Sequence, residues 1–185
     1  MEKPELYFGH PVNVYSTEAE QGLLEIVARE FPNHNILNPN QPYHQEGYKK
    51  YRELSIPKDV LEKSNLTDKR GMNYYFLEVL PGVQDGAFLS FEDGMFGAGV
   101  YGESEFIKEA NGGQIYEIGI DSAGTGIYLA HMKLDKSRML SVDETRERVY
   151  GDKKDDFAKK LDAALSSGIL VNWLNAWYEI IFSIK

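Results

Sequence analysis

The sequence predicts an α/β fold of the flavodoxin or Rossmann-like type, which is an open, mostly parallel sheet flanked by helices, with an extra hairpin and helices in the C-terminal part. Two observations favour this class. Short apolar segments alternate with segments of helical periodicity, and the apolar run Ala87–Leu89 leads from Asp85 into a glycine-rich turn and a helix. In such sheets, strand ends and helix N-termini meet at a crevice that binds small ligands.

The first half of the chain shows this alternation. Leu6–Gly9 predicts a strand that ends in a glycine turn, and Asn35–Pro39 predicts a second short strand. Between them, Thr17–Glu20 has the spacing of a capping box, in which each side chain satisfies a free backbone donor of the other residue, and Pro32 ends the helix. The apolar positions of this helix are Leu23, Leu24, Val27, Ala28 and Phe31.

The segment from Asn38 to about Ser64 lacks a clear period, because prolines and a glycine interrupt a polar stretch rich in tyrosine. Such a segment is typical of a functional lid or an irregular insertion. Met72–Leu80 then predicts a helix that Pro81 and Gly82 end. Its buried side is expected to carry Tyr75, Phe76, Val79 and Leu80.

Further strands and helices are predicted after the strand that begins at Asp85. They are a helix from about Val100 to Ala110, a glycine stop at Asn111–Gly113, a strand at Gln114–Ile118 and a turn at Gly124–Gly126. Ile127–Ala130 and Arg138–Ser141 are two more strand candidates, and they form the predicted hairpin.

The C-terminal part is predicted to be helical. Ser141–Glu144 is a second capping box, which starts a helix to about Tyr150, and residues from Asp152 to Gly168 have the period of an amphipathic helix. Ile169–Ile184 is the most apolar stretch, but polar residues interrupt it and it is too short to span a bilayer. We expect it to form a helix in the core or in a subunit interface.

The composition narrows the class of protein. A chain of 185 residues is long enough for one domain with a substantial core. The net charge of −9 argues against nonspecific binding to nucleic acid, and the absence of cysteine excludes disulfides, thiolate metal sites and a cysteine nucleophile. No targeting or membrane-spanning segment is recognisable, so a cytoplasmic location is expected.

Two segments carry a family resemblance. Leu6–Gly9, and the stretch from Asp85 through Gly99 to Glu103, resemble the nucleoside 2-deoxyribosyltransferase-like family of N-glycosidic enzymes. The positions that match are Tyr7, Gly9, Asp85, Gly99 and Glu103. The resemblance implies a single domain over residues 1–185, with a core of roughly the first 120 residues and a C-terminal extension from about residue 121.

The resemblance also implies catalytic roles for three residues. Glu103 would be the nucleophile, Tyr7 would orient its carboxylate, and Asp85 would serve the leaving base or the sugar. Without the resemblance, each residue has an ordinary structural interpretation. Glu103 would be an acidic residue in the first turn of a helix, Tyr7 a half-buried strand tyrosine and Asp85 an aspartate that opens a strand. Glu105 competes with Glu103, because glutamates two residues apart cannot share one helix face.

Several other residues are candidates for substrate binding. They are Glu92 and Asp93 for ribose hydroxyls, His10 and Asn13 beside the first glycine turn, and Gly97, Gly99 and Gly102, whose helix N-terminal amides suit a phosphate. The remaining histidines, His34, His44 and His131, lack the spacing of a zinc site. We therefore predict neither a metal nor a cofactor.

One departure from the family concerns the leaving base. Members that transfer deoxyribose carry another acidic residue in the helix before the strand of Asp85, whereas the nearest acid here, Glu78, falls at a different spacing. The leading hypothesis is an enzyme that cleaves or transfers the N-glycosidic bond of a nucleoside or nucleotide, acting as a homo-oligomer. The alternatives are a protein of the same fold that binds or senses a nucleotide-like metabolite without turnover, and an interaction protein that docks a partner on its apolar C-terminal stretch.

Overall fold

The strands form one twisted sheet in this computed structural model, which describes residues 3–53 and 71–174. In chain order they are β1 Glu5–Gly9, β2 Asn35–Leu37, β3 Asp85–Leu89, β4 Ile115–Ile120, β5 Ile127–His131 and β6 Leu170–Asn172. Their order across the sheet is β2-β1-β3-β4-β5-β6. The first four run parallel, β5 is antiparallel to β4, and β6 is parallel to β5. The predicted open, mostly parallel α/β sheet is therefore confirmed.

Helices cover both faces of the sheet. They are α1 Glu18–Glu30, α2 Pro42–Glu53, α3 over residues 72–82, α4 Ala98–Glu109, α5 Val142–Tyr150 and α6 Lys154–Ser166. α3 consists of an α-helical turn at Met72–Tyr74, a π-helical segment at Tyr75–Val79 and a 3-10 turn at Leu80–Gly82. Shorter 3-10 turns lie at Val12–Val14 and Lys136–Arg138.

Strand alternation divides the core into two layers. Leu6, Phe8, Ala87, Leu89 and Ile118 point to one face, where they pack against the apolar sides of α1, α5 and α6. Tyr7, Phe88 and Ile115 point to the other face, where α3 and α4 cover them. The C-terminal helices therefore belong to the same core as the N-terminal strands.

Most predicted elements of the second half are present. Gly112, Gly124 and Gly168 all have positive φ, near +70°, where glycine avoids the strain of a side chain. Ser141 and Glu144 form the predicted capping box in full. The helix after Asp152 buries Phe157, Ala158, Leu161 and Ala164 as its period predicted.

The first capping box forms only in part. The Thr17 hydroxyl accepts a hydrogen bond from the Glu20 amide, at 3.2 Å, but the Glu20 carboxylate accepts from the Ser16 amide, at 2.6 Å, instead of capping Thr17. The reason is that Glu20 turns into the core, where three other donors reach it. In the same helix Ala28 is exposed, contrary to its predicted place on the apolar face.

Three segments differ from the predictions. Residues 42–53, expected to be an irregular lid, form α2, which packs on α3 because Gly47 and Gly71 admit the rings of Tyr74 and Tyr48. Arg138–Ser141 makes only an isolated bridge, Phe96 to Met139, so the hairpin consists of β4 and β5. Leu170–Asn172 is a strand and not a helix, and residues 175–184 of the predicted C-terminal helix, like residues 54–64, lie outside the described residues.

Among the described residues, no helix combines the length and the apolar character needed to cross a membrane.

Candidate functional site

The strand order reverses between the parallel strands β1 and β3. The chain leaves β1 through α1 on one face to reach β2, and leaves β3 through α4 on the other face to reach β4. The carboxyl ends of β1 and β3 thus bound a topological switch point, which is where open α/β sheets bind ligands.

Glu103 lies beside this switch point. It sits in the second turn of α4, where it is only 6% exposed. Its Oε2 is 3.1 Å from the position that a Cβ of Gly9 would occupy, and Cδ1 of Phe88 is 2.6 Å from the same position. This position therefore needs a glycine, because any side chain on residue 9 would displace Phe88 and press on the Glu103 carboxylate.

Tyr7 joins Glu103 in the same layer of the core. Burial raises the pKa of the Tyr7 phenol, and the charge of Glu103 together with a side-chain hydrogen bond to it raises that pKa further. This hydrogen bond is loose, because within the described part of the chain the Tyr7 hydroxyl has no partner at ordinary hydrogen-bond geometry. Tyr7 is consequently a neutral phenol next to a carboxylate.

Two more tyrosines complete the surroundings of Glu103. Burial raises the pKa of Tyr15, as do Tyr75, Glu103 and Glu20, in that order of effect. Burial likewise raises the pKa of Tyr75, and Glu103 is the largest electrostatic contributor there, as it is for Tyr7. The Tyr75 ring lies 6.3 Å from the Tyr7 ring, edge-on, and its hydroxyl donates to the carbonyl of Pro39 at 3.1 Å.

We call Glu103 together with Tyr7, Tyr15 and Tyr75 the tyrosine site. The sequence did not indicate two of its members, Tyr15 and Tyr75. Tyr15 follows a 3-10 turn with no recognisable motif, and Tyr75 was predicted only as a core residue of a helix. The one local signal is the π-helical segment that begins at Tyr75, since such segments are frequent at functional sites.

The competition between Glu103 and Glu105 is resolved by the geometry of α4. Glu105 is half-exposed and lies 3.5 Å from Nζ of Lys136 in a surface ion pair, whereas Glu103 is buried against Gly9. Only Glu103 faces the switch point.

Asp85 lies away from the tyrosine site, because it opens β3 and so stands at the amino edge of the parallel strands. Its carboxylate accepts from the Gln114 amide at 2.7 Å and lies 3.1 Å from Nε2 of His34. It borders a shallow, open depression of about 480 Å³ between β3 and the start of β4. The structure does not bring Asp85 together with Glu103.

The loop carboxylates are engaged with the C-terminal helices. The Asp93 carboxylate receives two hydrogen bonds from Arg148, at 2.9 and 2.7 Å, and these bonds lower its pKa. Glu92 lies 2.6 Å from Nζ of Lys160. Neither is directed into the tyrosine site.

The N-terminus of α4 is also engaged. Gly97 is its N-cap residue, and the Ala98 amide donates to the Thr145 hydroxyl at 2.9 Å. Gly102 lies beyond the first turn, so its amide belongs to the helix ladder, and Gly99 faces the side chain of Met72. The predicted set of phosphate-binding amides is thus reduced to the amides next to Gly99.

His10 and Asn13 are tied into the fold. His10 is buried, with Nδ1 3.0 Å from the carbonyl oxygen of Phe8 and Nε2 3.0 Å from Oε1 of Glu20. Asn13 donates to the carbonyl of Lys154 at 2.8 Å. His10 therefore faces Glu20 and not an open crevice.

The other histidines are separate from one another. His34 contacts Asp85, His44 is buried with Nδ1 2.9 Å from the Tyr74 hydroxyl, and His131 packs on Tyr116. Over residues 3–53 and 71–174, no group of three or more His, Asp or Glu side chains is arranged to hold a metal ion.

No family model, curated protein or solved structure matches this chain. The functional interpretation therefore depends on the geometry of the site together with the resemblance of its short motifs.

Proposed function

We propose that the protein cleaves or transfers the N-glycosidic bond of a nucleoside or nucleotide, with Glu103 as the nucleophile. The observation that carries the proposal is the position of Glu103, which is a buried carboxylate against Gly9 at the switch point of the sheet, among the phenols of Tyr7, Tyr15 and Tyr75.

The chemistry follows from what an anomeric carbon requires. As the bond from carbon to base nitrogen breaks, positive charge develops on the sugar, and an adjacent carboxylate stabilises it or forms a bond to it. In the proposed step an oxygen of Glu103 bonds to the anomeric carbon as the bond to the base nitrogen breaks, and the base departs with the electron pair and takes up a proton from solvent. Water or a second base then attacks the same carbon, the bond to the carboxylate oxygen breaks, and the attacking group gives up a proton to solvent.

The tyrosines suit this reaction because they stay neutral. Burial and the charge of Glu103 raise the pKa of Tyr7 and of Tyr75, so both remain phenols at physiological pH. Tyr7 can then donate to the carboxylate and fix its orientation, and Tyr15, which is partly exposed, offers a ring face to the substrate. Asp85 has no part in the proposed step, because it lies at the amino end of β3 and the tyrosine site lies beside the carboxyl end.

The test is a chromatographic assay for released free base with pooled nucleosides, their 5′-monophosphates and nicotinamide dinucleotides. We expect wild type to release base, and Glu103→Gln to release it at least about 1000-fold more slowly. Glu105→Gln is the matched control, because Glu105 lies on the same helix but pairs with Lys136 at the surface.

Two results would contradict the proposal. Equal base release by wild type and Glu103→Gln would remove Glu103 from the reaction. No release by wild type, combined with thermal stabilisation by one of the same compounds, would favour the alternative of a binding or sensing protein.

A further inference from the structure

We propose that Arg138 is a positioning residue that fixes the loop before α4 and thereby holds Glu103 at the switch point. The inference rests on the proposed function for its kinetic test, but the geometry that suggests it is independent of any substrate. It concerns the part of the chain that the family resemblance does not cover.

The loop of residues 90–97 connects β3 to α4. It turns at Gly94, which has a φ of +76°, and is closed internally by hydrogen bonds from the Gly94 amide to the Phe91 carbonyl and from the Phe91 amide to the Met95 carbonyl, both 2.8 Å. α4 begins directly after this loop, and Glu103 lies in its second turn. A shift of the loop therefore shifts Glu103.

All three guanidinium nitrogens of Arg138 form hydrogen bonds, and two of them bond to this loop. Nε and Nη2 donate to the Gly94 carbonyl at 2.9 and 2.6 Å, while Nη1 and Nη2 donate to the Glu117 carboxylate at 2.9 and 2.5 Å. The guanidinium also lies 4.9 Å from the centre of the Phe96 ring. One side chain thus joins the turn of the loop to the middle of β4.

The anchor of this contact is itself buried. The Glu117 side chain is 8% exposed, and it also accepts a hydrogen bond from the Tyr128 hydroxyl, which lies 3.2 Å from the Ser90 hydroxyl. Burial and the hydrogen bond to Glu117 raise the pKa of Tyr128, so the phenol remains a donor. The guanidinium is therefore fixed by the sheet and not by a mobile surface group.

Backbone contacts and a cap extend the same restraint into α4. The Phe96 amide donates to the Arg138 carbonyl at 2.8 Å, and the Leu140 amide donates to the Phe96 carbonyl at 2.9 Å. The Thr145 hydroxyl then caps the Ala98 amide. Because Oε2 of Glu103 lies only 3.1 Å from the position that a Cβ of Gly9 would occupy, the space around the carboxylate is tight, and a displacement of about 1 Å at the helix start is expected to cost about 100-fold in rate.

The experiment compares Arg138→Met with Arg148→Met. Arg148 is a matched control, since it makes a bidentate ion pair to Asp93 on the same loop but at the more exposed outer side. We expect Arg138→Met to lower kcat about 100-fold with KM within about threefold, Arg138→Lys to be intermediate, and Arg148→Met to retain both constants.

A second readout does not need turnover. Amide hydrogen exchange over residues 94–101 is expected to be at least about tenfold faster in Arg138→Met than in wild type, with β1 and β3 unchanged and with Arg148→Met like wild type. If wild type proves to have no glycosidic activity, the proposed function fails, while this exchange measurement still tests whether Arg138 fixes the loop before α4.

The proposal is overturned if Arg138→Met keeps the kcat of wild type, or if both arginine variants lose activity and protection equally. Should Arg138→Met fail to fold, Thr145→Val supplies the test, because it removes the cap on Ala98 and otherwise only the hydrogen bond from the same hydroxyl to the Ser141 carbonyl. That variant is expected to lower kcat about tenfold with faster exchange at residues 98–100, and unchanged values would overturn the inference.

Discussion

Two buried glutamates flank the end of β1 from opposite faces of the sheet, and their surroundings differ. Glu20, on α1, accepts hydrogen bonds from four donors, which belong to His10, Ser16, Asn38 and Asn40, at 2.6 to 3.0 Å. Glu103, on α4, lies among the phenols of the tyrosine site and against Gly9.

The difference separates a carboxylate that four hydrogen bonds hold within the fold from the carboxylate that we propose as the nucleophile. Burial alone would raise the pKa of Glu20, but hydrogen bonds from His10, Asn38 and the Ser16 amide lower it to about 2. Both ring nitrogens of His10 lie 3.0 Å from an acceptor, Nδ1 from the Phe8 carbonyl oxygen and Nε2 from Oε1 of Glu20. Glu20 ties together the ends of β1 and β2 and the start of α1, whereas Glu103 faces the place where a ligand would bind.

The largest expected effect comes from exchanging each carboxylate for an amide. Glu20→Gln replaces one acceptor oxygen by a donor that faces other donors, so we expect it to lower the free energy of unfolding by about 3 kcal/mol. Glu103→Gln is expected to change it by less than about 1 kcal/mol, because the phenols can donate to the amide oxygen. Urea denaturation of both variants measures this, and comparable losses would erase the distinction.

The acid limb of the stability curve gives the next effect. The pKa of Glu20 falls from 4.5 to about 2 on folding, so the charged form stabilises the native state above pH 4.5 and this contribution is lost as pH falls toward 2. It amounts to at most about 3 kcal/mol. Unfolding measured from pH 6 to pH 2 should therefore show the gap between wild type and Glu20→Gln closing below about pH 4.5. A constant difference in unfolding free energy between wild type and Glu20→Gln would refute the lowered pKa of Glu20.

The smallest expected effects come from substitutions of two glycines. Gly9 faces Glu103, and Gly102 faces Phe76 of α3. Gly9→Ala places a Cβ 2.6 Å from Phe88 and 3.1 Å from Oε2 of Glu103, so we expect a loss of about 1–3 kcal/mol and at least about a tenfold slower reaction. Gly102→Ala meets only Cζ of Phe76, at 3.4 Å, in the middle of a helix. It should stabilise the protein by about 0.5–1 kcal/mol, and thermal melts of the two variants that move together would contradict this reading.

Local patterns in the sequence predict the sheet and most of the helices. The reason is that the spacing of apolar residues along a strand or an amphipathic helix shows which of its sides is buried. α2 escaped prediction since it packs through glycine and tyrosine contacts, such as Gly47 against Tyr74, and not through an aliphatic stripe. The capping-box spacing of Glu20 likewise gave no sign that its carboxylate turns inward, because the donors that draw it there come from distant segments.

Within the site, the structure places Glu103 near Gly9 of the first motif, whereas Asp85 lies apart from both. A residue that opens a parallel strand stands at the edge opposite the carboxyl ends, so the direction of β3 alone separates Asp85 from Glu103. Tyr15 reaches the site through an irregular turn in which Ser16 has a φ of 60°, and no periodic signal marks such a turn.

The attachment of the Glu103 helix to the last third of the chain also sets an order of events during synthesis. Arg138, Thr145, Arg148 and Lys160 all contact the segment that leads into α4, and α6 covers α1. While a ribosome has released only the first 120 residues, α1 has no partner for its outer apolar side and the loop before α4 has no anchor. The position of Glu103 is therefore fixed only after the segment from Arg138 to Lys160 has left the ribosome and packed against the loop before α4.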